Sequence, residues 1–246
     1  MKYVIVFCTA ALSFAAHAAE PAKPDAANTL SAEQQREGWK LLFDGKSTAG
    51  WHRYNEKTIG KAWSADGGSL HLDTSNKKGG WQAPDGGDIV NDGVFANFDL
   101  KLDWKIAPAG NSGVMFYVQE GPQHKYPWQT GIESQVLDNV AAEDAKFDKH
   151  RAGDFYDLIA GKPEAVRPAN EWNHLEIISD HGHIVEKLND TVVVETTLWG
   201  DEWKRLIAGS KFRDMPGFGM FREGKIVLQD HGADVWFRNV MIRELK

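Results

Sequence analysis

From Trp39 to the C-terminus, apolar residues recur in short runs broken by Gly, Asn and Asp. Phe98 to Ile106 sets Phe98, Leu100, Leu102 and Trp104 on one side of the chain and polar residues on the other, the period of a half-buried strand. Trp39 to Phe43, stopped by the turn pair Asp44-Gly45, Ser69 to Leu72, Gly113 to Gln119 and Ile132 to Leu137 read as further strands. Gly110-Asn111-Ser112 reads as the tight turn before Gly113. Later, His174 to Ser179, His183 to Leu188 and Thr191 to Thr196 form a meander turning at Asp180-His181-Gly182 and Asn189-Asp190. Lys225 to Gln229 and Val235 to Ile242 flank Asp230-His231-Gly232. Helical spacing appears twice. Ser31 caps a short helix ending at Arg36, and Asp201 to Lys211 aligns Trp203, Leu206, Ile207 and Ser210. Many short strands, few helices and no βαβ alternation predict an all-β, two-sheet β-sandwich in one domain, residues 38–246.

The segment before this domain has a different pattern. Lys2, the apolar stretch Val4 to Ala16 and the small-x-small site Ala16-His17-Ala18 predict a cleaved signal peptide over residues 1–18, and hence a periplasmic or secreted protein. Residues 19–37 read as a disordered linker to residue 30 followed by the short helix. Cys8 lies inside the apolar stretch and leaves with it, so the mature chain would lack disulfides, a thiolate nucleophile and Cys-based zinc sites. No later apolar run is long enough for a membrane-spanning helix.

The formal charge of −7, without a basic run, argues against nucleic acid and anionic membranes as partners. Ten Trp and 24 Gly are the unusual counts. Each Trp must pack in a core or offer a flat face to a ligand, and sugars stack on such faces.

Polar residues on a predicted strand sharpen the picture. Glu133 and Gln135 share one face of their strand, which is costly inside a sandwich unless that face lines a wet groove. Asp138 falls on the other side unless a bulge resets the parity. His231, between two strands, could transfer protons or ligate a metal, and Gln229 beside it could bind a sugar hydroxyl. The aromatic loop Gln119 to Trp128 brings His124 and Trp128 as candidate contacts, and the loop His150 to Asp157 brings Arg151 and Tyr156. No metal motif is present, yet Glu133, Asp138, His231 and His124 could together hold a divalent metal ion.

Five segments carry a family resemblance. They are Gly38-Trp39-Lys40-Leu41-Leu42-Phe43-Asp44-Gly45 with Gly50-Trp51, Asn111-Ser112-Gly113-Val114, Glu133 to Asn139, Glu171-Trp172-Asn173, and Leu228 to Gly232 leading into Val235-Trp236-Phe237-Arg238-Asn239. In this order they resemble the 3-keto-disaccharide hydrolase domain. The resemblance implies a concanavalin-like jelly roll and activity on sugars oxidised at C3. It departs at Phe116-Tyr117, where many members carry an Arg, and at Asn189-Asp190, where they turn on Asn-Gly.

The reaction this implies is elimination across C1 and C2 followed by hydration. Glu133 or His231 would be the base, and Arg151, Gln135 or a bound metal would stabilise the enolate. Two other readings stand beside it. Glu133 and Asp138 match the spacing of a retaining glycosidase pair, which in β-glucanases of this architecture needs a bulge. A non-catalytic carbohydrate-binding module would need only the sandwich and its Trp residues. Polar side chains buried on the groove face favour an enzyme; a flat face of Trp alone favours a binder.

Overall fold

The computed structural model describes residues 26–246 together with Met1. The expected signal peptide therefore lies, apart from Met1, outside the described residues, as does the linker up to residue 25. Helix α1 (Ala32–Arg36) starts as expected at Ser31, whose hydroxyl accepts from the Gln34 amide while the Gln34 side chain accepts from the Ser31 amide. The strands in chain order begin with β1 (Lys40–Leu41), β2 (Trp51–Arg53), β3 (Trp63–Asp66), β4 (Ser69–Leu72), β5 (Ile89–Asn91) and β6 (Phe98–Ile106). They continue with β7 (Asn111–Val118), β8 (Ile132–Leu137), β9 (Asn173–Asp180), β10 (His183–Leu188), β11 (Thr191–Thr197), β12 (Lys225–Leu228) and β13 (Val235–Glu244). Helix α2 (Asp201–Ala208) follows β11.

Two antiparallel sheets face each other in a jelly-roll sandwich. One has eight strands, in the order β11-β10-β9-β6-β13-β4-β3 with β1 also on β13; the other has five, in the order β2-β5-β12-β7-β8. Between them one apolar cluster takes Phe98, Leu100, Leu102, Trp104 and Ile106 from β6 and Val114, Phe116, Ile132 and Val136 from the smaller sheet. Burying each such side chain stabilises the fold by about 1.5–3 kcal/mol relative to exposure. The meander β9–β10–β11 forms as expected, with Asn189 and Asp190 at φ 50° and 65° in a turn that needs left-handed backbone at both positions.

Four expectations change. Asn28 is docked: its amide groups and carbonyl oxygen bond to Asn239 and Gly68, so residues near it are no free linker. Strand β7 begins at Asn111, making Asn111 and Ser112 ladder residues rather than a turn. Helix α2 stops at Ala208 because Gly209 caps it, and the Ser210 hydroxyl donates to the Ile207 carbonyl, leaving Lys211 free of the helix. Phe116 and Tyr117 both belong to the core cluster, because a register shift against β12 and a φ of 60° at Tyr117 break the alternation. The departure from the family resemblance at Phe116-Tyr117 is therefore a piece of the core.

One carboxyl is fully enclosed between the sheets. Glu186 of β10 accepts from the Ser134 hydroxyl at 2.8 Å, and its second oxygen has no partner among the described residues. Burial holds its pKa well above the ordinary glutamate value. Stability from a raised acid is complete below its unfolded pKa and is lost as pH rises through the folded one. Glu186→Gln removes this dependence. Its melting temperature relative to wild type should therefore rise between about pH 5 and about pH 8, as read by thermal melts at both.

Candidate active site

The outer face of the smaller sheet, turned away from the core, carries the polar side chains. Strands β7 and β8 pair without a register shift, with Glu133 opposite Met115 and Gln135 opposite Gly113. Glu133 and Gln135 thus share the outer face, while Ser134 reaches inward to Glu186. Gly113 is the seat of Glu133: a Cβ there would collide with the Glu133 carboxyl, which lies across it. Gln229 follows β12 and is fixed on the same strand, its amide donating to Gly113 O at 2.9 Å and its carbonyl accepting from the Ser112 hydroxyl at 2.7 Å.

These groups floor a cavity of about 430 Å³, within the usual size of small-molecule sites. Glu133, Gln135 and Gln229 are buried. The Gln135 amide donates to Asn111 Oδ1 at 3.2 Å, and Asn111 Nδ2 donates to Asp144 Oδ2 at 3.0 Å, so the floor is wired to the wall. The Oε1 atoms of Gln135 and Gln229 are buried without a partner among the described residues. Such acceptors await a ligand's donors, since leaving them empty costs about 1–3 kcal/mol each.

The wall is aromatic and basic. Tyr126 and Trp128 stack at 5.0 Å, and Trp81, 46 % exposed, meets the edges of Tyr126 and His231 at 6.3 and 6.0 Å. Residues 153–156 hydrogen-bond along the free edge of β8, the Tyr156 amide donating to Glu133 O at 3.0 Å, which brings the Tyr156 ring to the cavity. Lys211 Nζ sits 3.9 Å from the centre of that ring. Among the described residues it has no carboxylate within salt-bridge distance, while its own amide is tied to Asp157 Oδ2 at 2.6 Å. Among the described residues the His231 ring has no hydrogen bond to any residue but its own backbone.

Burial and neighbouring charge set opposite tendencies. Desolvation raises the Glu133 pKa above the ordinary range, the Lys211 ammonium opposing this and the Asp88 charge adding to it. Desolvation lowers the Lys211 pKa, with Glu133 opposing. The His231 pKa is lowered by the same cause, with Asp144 opposing. A protonated carboxyl and a neutral imidazole facing one cavity near neutral pH make an acid and base pair.

Of the residues singled out from sequence, Glu133, Gln135, Gln229, His231, Tyr156 and Trp128 converge here. Three do not. Asp138 stays on the far side of β8's end, its carboxylate accepting from the amides of Ala109 at 2.8 Å and Val140 at 3.0 Å. The bulge that would bring it round is missing from the β7–β8 ladder. Arg151 is held by Glu164 at 2.8 Å and by the Ala145 carbonyl, outside the cavity. His124 lies against Phe221 at 6.2 Å, in a neighbouring groove. The four suggested metal ligands are therefore split, and no three His, Cys, Asp or Glu among the described residues are grouped as an ion requires. Trp81, Asp144, Lys211 and Met215 join the lining without any signal in the local sequence. Buried polar groups on the floor, rather than a flat Trp face, are the feature that favours an enzyme over a binding module.

The likeness to known proteins follows the same outline. Residues 38–243 match the model of the 3-keto-α-glucoside-1,2-lyase-like domain. A 3-keto-disaccharide hydrolase of Bacteroides thetaiotaomicron is 34% identical over 89% of this chain and 82% of its own length. A crystal structure from Parabacteroides distasonis, provisionally classed as a glycosyl hydrolase, superposes with a TM-score of 0.80 at 32% identity, covering 90% of this chain and all of that one. A galectin-like protein of unknown function from Bacillus subtilis shares the fold alone, with a TM-score of 0.52 at 15% identity, covering 89% of this chain and 95% of that one. With the match running from the Gly38-Trp39 segment through the Glu133 strand and His231 to the last strand, the chain belongs to the 3-keto-α-glucoside-1,2-lyase-like family.

Proposed function

We propose that the protein cleaves the glycosidic bond of 3-keto-glycosides by elimination and rehydration, with His231 as base, Glu133 as acid and Lys211 as the cation that holds the enolate. Family membership, the 3-keto-disaccharide hydrolase relative and the similar structure provisionally classed as a glycosyl hydrolase support a carbohydrate-active hydrolase. The observation that carries the finer reading is the meeting of an imidazole, a carboxyl and an ammonium in one sugar-sized cavity.

The chemistry follows from the ketone. A carbonyl at C3 acidifies the hydrogen on C2, because the electron pair left behind spreads onto the C3 oxygen. Neutral His231 takes that proton, and the Lys211 ammonium faces the oxygen where charge develops. The pair then forms the C1–C2 double bond as the C1–O bond breaks, and Glu133 gives its proton to the departing oxygen. Water adds its hydroxyl to C1 and a proton to C2 by the reverse sequence, so the sum is hydrolysis. Gln135 and Gln229 offer acceptors for ring hydroxyls, and Trp128 and Trp81 offer faces for the ring. Lys211 takes the part that sequence alone gave to Arg151, Gln135 or a bound metal. The retaining-glycosidase alternative loses its second carboxylate with Asp138.

In heavy water, release should occur from a nitrophenyl 3-keto-glucoside and not from the plain glucoside, with deuterium at C2 of the sugar recovered; release from the plain glucoside would sink the elimination. His231→Ala should lose about 10²–10⁴ in kcat on every 3-keto substrate. Glu133→Gln should lose a similar factor on a 3-keto-disaccharide but far less on the nitrophenyl substrate, whose leaving group needs no proton. Equal losses on both substrates would remove Glu133 from the acid role. The pH profile of kcat/KM should be bell-shaped. Activity rises through the lowered pKa of His231, which must be neutral, and falls through the raised pKa of Glu133, which must be protonated. Export is part of the same proposal: N-terminal sequencing of protein recovered outside the cytoplasm should begin at Ala19.

A further inference from the structure

The polar and aromatic segment His150 to Asp157 sends Tyr156 to the cavity and keeps a histidine behind it. The His150 side chain is 17 % exposed and its ring lies between two others, Phe147 at 5.4 Å and Tyr156 at 4.2 Å. Its Nε2 meets Asp157 Oδ1 at 3.4 Å, the long end of a hydrogen bond. Its Nδ1 is buried and faces Asp144 Oδ1 at 3.9 Å, with no hydrogen bond among the described residues. The ring does not line the cavity, and no step of the proposed reaction calls for it.

What the ring touches is what holds Lys211. That lysine is exposed and lies in a turn beyond the end of α2. Its amide donates to Asp157 Oδ2 at 2.6 Å, and its ammonium rests 3.9 Å from the centre of the Tyr156 ring. The Phe212 ring beside it is farther, at 5.1 Å. Asp157 is itself set in the left-handed region, at φ 58°, with its amide donating to the Lys149 carbonyl at 2.7 Å. His150 therefore meets both supports of one cation: it packs on the ring under the ammonium and bonds the other oxygen of the carboxylate that ties the backbone. On its far side, Asp144 continues through Asn111 to Gln135 on the floor, by bonds of 3.0 and 3.2 Å.

A lysine ammonium on its flexible stem has many places to be, and a cation is drawn to an aromatic face. The orientation of Tyr156 thus decides where the Lys211 charge rests, and a neighbouring ring in contact with Tyr156 limits how that side chain can turn. A charge stabilises a transition state well only when it is already in place. Resting on the proposed role of Lys211, we infer that His150 is a positioning residue for this cation. It fixes the Tyr156 ring and the Asp157 carboxylate from which Lys211 reaches the cavity, and it acts without meeting the substrate.

The test uses the whole chain with His150→Ala, Lys211→Met and both together, thermal melts checking that each folds. Reductive methylation with isotope-labelled formaldehyde gives an NMR signal for each lysine, and Lys211→Arg identifies that of Lys211. Held over the Tyr156 ring, this signal should lie upfield of those of other exposed lysines, and in His150→Ala it should move toward them. On a nitrophenyl 3-keto-glucoside, His150→Ala should lower kcat by about 10–100-fold and leave KM within about twofold, the scale of a displaced catalytic group. In the Lys211→Met background the same change should cost less than about twofold, because the ring acts through Lys211. An unmoved signal, or equal losses in the two backgrounds, overturns the inference. Should Lys211→Met cleave as fast as wild type, or no 3-keto substrate be cleaved, the proposed reaction fails in that part and the signal alone decides: moved supports placement by His150, and unmoved overturns it. If His150→Ala does not fold, His150→Gln, which keeps a donor toward Asp157 and loses the ring, takes its place in every comparison.

Discussion

The carboxylate of Asp230 accepts the amides of Ala83, Gly87 and Gly232 at 2.7 to 3.2 Å, and its own amide donates to Asp88. It is wholly buried just beyond the end of β12. Through these bonds one side chain joins the sheet to the loop that bears Trp81, Gln82 and Asp88, and fixes the turn that presents His231. The Trp63 indole secures the same loop from the core side, donating to Gly87 O at 2.8 Å. Without this clamp the loop that bears Trp81 and Gln82, whose backbone pairs with no strand, would not hold Trp81 at the cavity. The Asp230 side chain thus sets the spacing between Trp81 on the cavity wall and His231.

What the sandwich contributes is a rigid sheet whose outer face can be buried without being apolar. Met115, Val90, Val118 and Val227 cover part of that face, with Tyr54 and Trp128 packed on them. The remainder is given to Glu133, Gln135 and Gln229, enclosed under aromatic loops. Desolvation lifts the buried Glu133 carboxyl and depresses the amine of Lys211 and the imidazole of His231, two residues that are themselves exposed at the rim of the cavity. One physical cause thus pushes a carboxyl and an imidazole facing the same cavity toward their neutral forms.

Much of this was legible along the chain, and the limits have physical causes. Long alternating strands such as β6 and β8 and the β9–β10–β11 meander announce themselves, because one face of each must be apolar. The pairing of Glu133 with Gln135 was visible for the same reason. Strands β2, β3 and β5, of three or four residues, are too short to show a period. Lys211 was hidden because its role depends on where α2 stops and on a loop from elsewhere in the chain. Asp138 and Arg151 misled in the opposite way: each is satisfied by close neighbours in the fold, the amides of Ala109 and Val140 for one and Glu164 for the other, and a satisfied side chain has nothing left to offer a ligand.

Gly113 is usually read as a residue without properties, yet the Glu133 carboxyl rests where its side chain would be. A methyl group at this position would carry no charge and make no hydrogen bond. It would nevertheless lift the carboxyl off the sheet toward water, where ionisation is easy. Space on β7 is thereby converted into proton affinity on β8. In this architecture the acidity of Glu133 is written in the volume of a neighbour, and the strand opposite a buried carboxyl is the place to look for its control.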